Sequence, residues 1–227
     1  MIIAIEGIDG SGKNTQTKLL AKHLSEQGMK VVMLGFPCYS ETFFGKEVGH
    51  YLNGNFGGLD DVPPKLASML YAGDRFEKKS SIENALNSGA IIIIDRYVSS
   101  NIAHQSAKVA DLEKVELQNW IETLEYDVYG LPRPNLNILL DLDASSSSKL
   151  VLMKDAREYT SKNKDLHEEN SSYLESVASV YRSLAAGSED WEVVNCLGKD
   201  GVRPINEISS EILAVVSKVL NYAQTTI

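Results

Sequence analysis

Cysteine is scarce in this chain: Cys38 and Cys196 are the only two in 227 residues. They follow the second and the last expected strands, which argues against a structural disulfide and for reduced thiols. Basic residues are the minority, 22 Lys and Arg against 31 Asp and Glu, for a net charge of −9. A protein whose main partner is nucleic acid or an anionic membrane needs a basic field, so neither partner is expected, and any anion site must be built locally. Long apolar runs are missing too. The longest, residues 90–94, falls far short of the ~20 residues that a bilayer-spanning helix requires. Met1 leads directly into a strand pattern without a leader, and a cytoplasmic location is the expectation. His23, His50 and His167 have no metal-ligand spacing and read as surface or packing residues. No internal repeat is visible, and the serine run 145–148 reads as the opening of a helix after the fourth strand.

What is present is a chain that is 43% hydrophobic and long enough to bury a substantial core as one α/β domain over 1–227. It opens with a strand pattern at 2–5 that runs into EGIDGSGKNTQTKLL, a glycine-rich turn ending in Lys13 and followed by a helical pattern. Strand, Gly7-x-x-x-x-Gly12-Lys13 and helix come in the order of a phosphate-binding loop. The glycines let successive N–H groups point into one concavity, and the helix amino terminus adds its positive dipole end. A nucleotide phosphate is the natural occupant. The Ser/Thr that usually follows the lysine and holds magnesium is here Asn14, with Thr15 next.

Strand and helix patterns alternate along the rest of the chain. Strands are expected at 30–35, 90–94, 137–142 and 191–195, and helices at 14–27, 44–52, 64–87, 112–126, 143–152, 172–184 and through the tail from Ile205 to Val219. The run AIIII is apolar at every position, as a central strand of a parallel sheet must be. Open parallel sheets put ligands where the strands end, and unusual residues gather there. Asp9 lies in the first loop, Phe36-Pro37 follow the second strand, Asp95-Arg96-Tyr97 follow the third, and the fourth carries Asp141 and Asp143.

These residues together resemble the thymidylate kinase family of nucleoside monophosphate kinases. The likeness is carried by EGIDGSGK at 6–13, Phe36-Pro37, LYAGDR at 70–75, DRYVSSNIAHQ at 95–105, GLPRP at 130–134 and DLHEE at 165–169. It implies a P-loop NTPase fold of three α/β/α layers with a five-stranded parallel sheet in the order 2-3-1-4-5, and a homodimer. It also implies transfer of the γ-phosphoryl of ATP to dTMP with Mg²⁺ as cofactor.

By the same resemblance, Gly7, Asp9, Gly10, Ser11, Gly12, Lys13, Asn14 and Thr15 would form the ATP site. Asp9, Phe36, Arg75, Arg96, Ser100, Asn101, His104, Gln105 and Glu168 would hold dTMP, with Phe36 on the ring, Arg75 on a thymine carbonyl and Asn101 on the base edge. Lys13, Arg96, Asp9 and Arg157 would carry catalysis, while Asp95 would hold the magnesium shell through water and Asn14 is a second metal candidate. Such roles suit phosphoryl transfer, which depends on positioning and charge neutralisation more than on covalent help. The polar segment 153–168, with Lys154, Arg157, Lys162 and Lys164, reads as a lid.

Four positions depart from the family pattern. Cys38 stands where relatives with an FPRY-type motif have an arginine, His104 where Tyr or Phe is usual against the sugar, Asn14 where Ser/Thr is usual, and Asn135 where an aspartate often precedes the fourth strand. Two alternatives stay open on the residues alone: a P-loop kinase with another nucleoside or nucleoside-monophosphate acceptor, and a nucleotide-binding homologue with weakened catalysis.

Overall fold

The computed structural model describes residues 1–152 and 171–225. Its centre is a parallel sheet of β1 (Ile2–Glu6), β2 (Val31–Gly35), β3 (Ile91–Asp95), β4 (Leu136–Asp141) and β5 (Trp191–Asn195), in the order β2-β3-β1-β4-β5. The order is the one the resemblance implies. The three inner strands are buried on both faces, and their side chains alternate. Ile3, Ile5, Ile93 and Ile138 face one layer, where α1 (Lys13–Glu26) and α9 (Ile205–Thr225) contribute Leu20, Leu24, Ile208, Ile212 and Val216. Ile2, Ala4, Ile92 and Ile94 face the other, against Ile82 of α4 (Lys79–Asn87), Val98 and Ile102 of α5 (Val98–Ser106), and Leu117 and Ile121 of α6 (Asp111–Glu122). Each fully buried aliphatic side chain is worth about 1.5–3 kcal/mol, so these two faces supply much of the driving force for the layered arrangement. The outer strands β2 and β5 are half-buried, as edges are.

α2 (Phe43–Leu52) lies against α3 (Pro64–Glu77), joined by a small cluster of Val48, Tyr51, Leu52 and Ala67. Close approach here requires glycine. A Cβ on Gly45 would stand 2.2 Å from Cys38 O, and one on Gly73 would meet the Phe44 ring at 2.6 Å. α7 (Ala144–Leu152) and α8 (Ser171–Ala186) follow β4, and α8 packs Val177 and Tyr181 against Leu139 and Ile8.

Four differences from the sequence expectation stand out. The helix expected over 64–87 is two helices, because Lys78 N closes α3 with a bond to Arg75 O at 3.1 Å, and α4 is redirected to lay Ile82 and Ala85 on the sheet. The helix expected over 112–126 ends at Glu122 and continues as a π-helical turn, Thr123–Val128. α5 was not anticipated as a helix, nor was the small antiparallel hairpin of β6 (Leu197–Gly198) and β7 (Gly201–Val202). Among the described residues, no helix is long and apolar enough to cross a membrane.

Candidate active site

The loop between β1 and α1 has the conformation that its glycines allow. Gly7, Gly10 and Gly12 all have positive φ, and no side chain caps the start of α1, whose first turn carries no acid. Those backbone N–H groups and the helix dipole suit an anion. The Lys13 ammonium is buried within the loop, donating to Gly7 O at 2.9 Å and Ile8 O at 2.7 Å. Ser147 Oγ of α7 donates to Asp9 O, so the loop is also tied to the helix after β4.

Beside the loop opens a cleft lined by residues from five segments: the loop itself, the turn after β2, α2, α3, and the stretch from Arg96 into α5. Its floor is Arg96, which follows β3 with a left-handed backbone, φ 66°, a conformation that costs a non-glycine residue about 1–2 kcal/mol. The guanidinium is held by Asp9, with Nη2 donating to Oδ1 at 2.6 Å, while Nη1 approaches Ser100 Oγ at 3.5 Å and His104 Nε2 at 3.3 Å. Burial works to lower the Arg96 pKa, yet Asp9 and the other acids around it keep it well above the ordinary value, so the cation is permanent. Ser100 Oγ in turn donates to Glu6 Oε2 at 2.6 Å. Glu6 also accepts from Tyr97 N at 2.8 Å and Tyr181 Oη at 3.1 Å.

His104 is oriented from both sides. Tyr173 Oη donates to the His104 carbonyl at 3.0 Å and therefore accepts from Nδ1, also at 3.0 Å. That assignment puts the proton on Nδ1 and leaves Nε2 as an acceptor for Arg96. Burial and then the Arg96 charge push the ring pKa down to about 3, so the imidazole is neutral.

The far end of the cleft sets an aromatic ring beside buried polar groups. Phe36 lies with its ring centroid 5.9 Å from Arg75 Cζ. Arg75 is buried and forked onto Glu125, with Nε to Oε2 at 2.5 Å and Nη2 to Oε1 at 2.6 Å. Asn101 Nδ2 donates to Glu125 Oε1 at 2.8 Å and to Ser68 O at 3.1 Å. Asn101 Oδ1 and both polar ends of Gln105 are buried with no hydrogen-bond partner among the described residues. Buried polar atoms are nearly always paired, and three orphans on the wall of one cleft point to a ligand that pairs them.

Of the acceptor residues expected from sequence, Asp9, Phe36, Arg75, Arg96, Ser100, Asn101, His104 and Gln105 all line this cleft. Asn14 and Thr15 stand exposed on the first turn of α1, and Asp95 is half-buried at the end of β3. Arg157, Glu168 and the lid segment 153–168 lie outside the described residues. Cys38 does not line the cleft: its thiol donates to Gly35 O at 3.2 Å, and burial followed by the Asp74 charge raises its pKa to about 12. The two acids of the fourth strand end have structural roles. Asp141 pairs with Arg182 at 2.9 Å. Asp143 caps α7 through Ser145 Oγ and Ser146 N, and these bonds hold its pKa down at about 2. Asn135 accepts from Ile2 N at 2.8 Å and so aligns the start of β1. His23 and His50 pair with nearby Gln27 and Asn55 at the surface. Glu6, Glu125, Tyr173 and Tyr181 had no assigned role on sequence. A need for partners to a buried arginine was the one signal available, and it does not say which acid answers.

The family model for thymidylate kinase matches residues 5–212. The chain is 32% identical over 225 residues to a probable thymidylate kinase of Thermococcus onnurineus, covering 97% of this chain and 98% of that protein. It is 29% identical over 186 residues to the thymidylate kinase of Mycobacterium tuberculosis strain H37Rv, covering 82% and 86%. Among solved structures, that of thymidylate kinase from Candida albicans superposes with a TM-score of 0.74 at 26% identity, covering 97% of this chain and 92% of that one.

The state of His104 generates a pH prediction. Its folded pKa of about 3 lies below the ordinary 6.5, so the unfolded chain binds the extra proton first. The stabilisation is complete above pH ~6.5 and is lost progressively as the pH falls from there toward ~3. His104→Gln removes this component. Urea midpoints at pH 7.5 and pH 5 should therefore separate more for the wild type than for the variant, and equal separations would contradict a buried neutral imidazole.

Proposed function

The chain belongs to the thymidylate kinase family, and from that premise we propose that it transfers the γ-phosphoryl of ATP to dTMP, giving dTDP and ADP, with the cleft residues in the following roles. The observation that carries the reading is the convergence of the eight expected acceptor residues on one cleft whose Arg96 is bonded to Asp9 of the phosphate loop. The loop amides and Lys13 hold the ATP phosphates, and the Lys13 ammonium tracks the charge that develops on the bridging oxygen. Arg96, fixed by Asp9, grips the acceptor phosphate. Phe36 covers the thymine ring, Arg75 donates to a carbonyl and Asn101 and Gln105 meet the base edges. Arg157 and Glu168 complete the site from the lid, Arg157 on the transferring group and Glu168 on the deoxyribose side.

The donors near the loop are hard oxygens, the carboxylates of Asp9 and Asp95 and the exposed side chains of Asn14 and Thr15, and this chemistry fits Mg²⁺ rather than a softer metal. Asp95 would hold the ion through water, and beside Asn14 a further water would take the place that a Ser or Thr hydroxyl fills in the usual pattern. Magnesium supplies neutralisation of the phosphate oxygens. The ion is thus held mainly by the nucleotide, because the chain offers few fixed ligands.

The exposed apolar side chains Leu66, Met69 and Phe76 on α3 and Leu112 and Val115 on α6 support the homodimer that the family likeness implies. Light scattering at micromolar concentration should give about twice the chain mass, and a monomer at every concentration would remove the dimer from the proposal.

Coupled ADP-release assays over a panel of nucleoside monophosphates test the assignment directly, with ATP alone as the blank. dTMP should be the preferred acceptor. Lys13→Ala should keep the fold and lower kcat by ~10²–10³-fold or more, the usual scale for deleting a group aimed at developing charge. Full activity in that variant would sink the assignment.

Asn14 generates a separate expectation. Asn14→Ser should lower the magnesium concentration for half-maximal rate, and Asn14→Ala should change it little. Loss of activity in Asn14→Ala would make the amide a true ligand or a brace of the loop, and a damaging Thr15→Ala would move the metal role to Thr15.

A further inference from the structure

Glu125 is an acid that the roles above do not use. It is fully buried in the π-helical turn Thr123–Val128, and its two oxygens take Arg75 Nε, Arg75 Nη2 and Asn101 Nδ2 at 2.5, 2.6 and 2.8 Å. One carboxylate therefore holds both side chains that face the base-reading end of the cleft.

The consequence is a fixed hydrogen-bond polarity. An asparagine amide can be placed either way round, but here the choice is forced. Reversing it would set Oδ1 against the Ser68 carbonyl and the Glu125 carboxylate, acceptor against acceptor. Nδ2 spends its two hydrogens on those groups, so Oδ1, buried and with no partner among the described residues, is the atom Asn101 has left for a ligand. Arg75 spends two of its five N–H groups on Glu125, which leaves three, and the residue lines the cleft. The wall thus reads donor at Arg75 and acceptor at Asn101. A 4-oxo pyrimidine presents the complement, a carbonyl acceptor at position 4 beside an N–H donor at position 3. A 4-amino pyrimidine presents the reverse and would meet donor with donor and acceptor with acceptor.

Resting on the dTMP-kinase reading above, we propose that Glu125 is the positioning residue that sets this polarity and so selects thymine and uracil over cytosine. A glutamine in its place has a single acceptor oxygen for three donors. Its amide nitrogen meets Arg75 Nε if it takes the Oε2 position, or both Arg75 Nη2 and Asn101 Nδ2 if it takes the Oε1 position, so in either orientation the Arg75 fork is broken and its donor edge is no longer held against the base.

The test compares wild type with Glu125→Gln in the ADP-release assay at saturating ATP, with dTMP, dUMP and dCMP as acceptors. Wild type should favour dTMP and dUMP over dCMP by at least ~10²-fold in kcat/KM, the scale expected when a site's polar groups are mispaired. Glu125→Gln should raise the dTMP KM, leave the ATP KM within about twofold, and narrow the dTMP-to-dCMP ratio by at least ~10-fold. A purely structural Glu125 would lower every acceptor in proportion, and an unchanged ratio overturns the proposal, as does a wild type that does not distinguish dTMP from dCMP. If Glu125→Gln does not fold, Glu125→Asp decides, since it keeps both acceptor oxygens: the ratio should stay within about threefold of wild type even if kcat/KM falls, and a collapsed ratio overturns the proposal. A wild type that turns over ATP with another monophosphate but not with dTMP would instead defeat the functional assignment, a result that the wild-type panel alone reveals.

Discussion

The Glu6 carboxylate sits at the end of the central strand β1 and receives three hydrogen bonds from two separated parts of the chain: Tyr97 N and Ser100 at the start of α5, and Tyr181 on α8. Leaving a buried carboxylate unpaired would cost several kcal/mol, roughly the effective penalty for desolvating one ion, so these donors are obligatory partners. Burial still raises the Glu6 pKa, with the Ser100 and Tyr97 bonds and the Arg96 charge pulling the other way. Because Ser100 also approaches Arg96, and Arg96 grips Asp9, the phosphate loop, α5 and α8 are registered to the sheet through this one group.

The sheet itself was legible because its inner strands need apolar side chains on both faces, and Ile91 to Ile94 have nothing else. The phosphate loop was legible because its glycines and lysine are dictated by the anion that they surround. α5 was not, since its buried residues include Ser99, Ser100, Asn101, His104, Gln105 and Ser106, and a helix whose buried face serves a polar cleft shows no apolar period. The break at Lys78 is likewise unsigned. No proline or glycine marks it; what decides it is the tertiary gain of laying Ile82 and Ala85 on the sheet.

The candidate site divides the same way. Residues next to the strand ends were readable as a set, and Asp9, Phe36 and Arg96 do meet in one cleft. Their supports were not readable. Glu125 lies 50 residues from Arg75 and Tyr181 lies 175 from Glu6, so only the fold brings these pairs together. The unusual acids Asp141 and Asp143 drew attention for the wrong reason, because a strand end is also where a helix cap and a surface ion pair belong.

The left-handed backbone of Arg96 bears on how this protein could be engineered. At that φ, glycine would relieve about 1–2 kcal/mol of backbone strain, but it would also leave the Asp9 carboxylate without its guanidinium and remove a charge that offsets the burial of Glu6. Backbone relief and ion pairing thus pull in opposite directions at a single codon, and a stabilisation campaign on this scaffold should hold that codon constant.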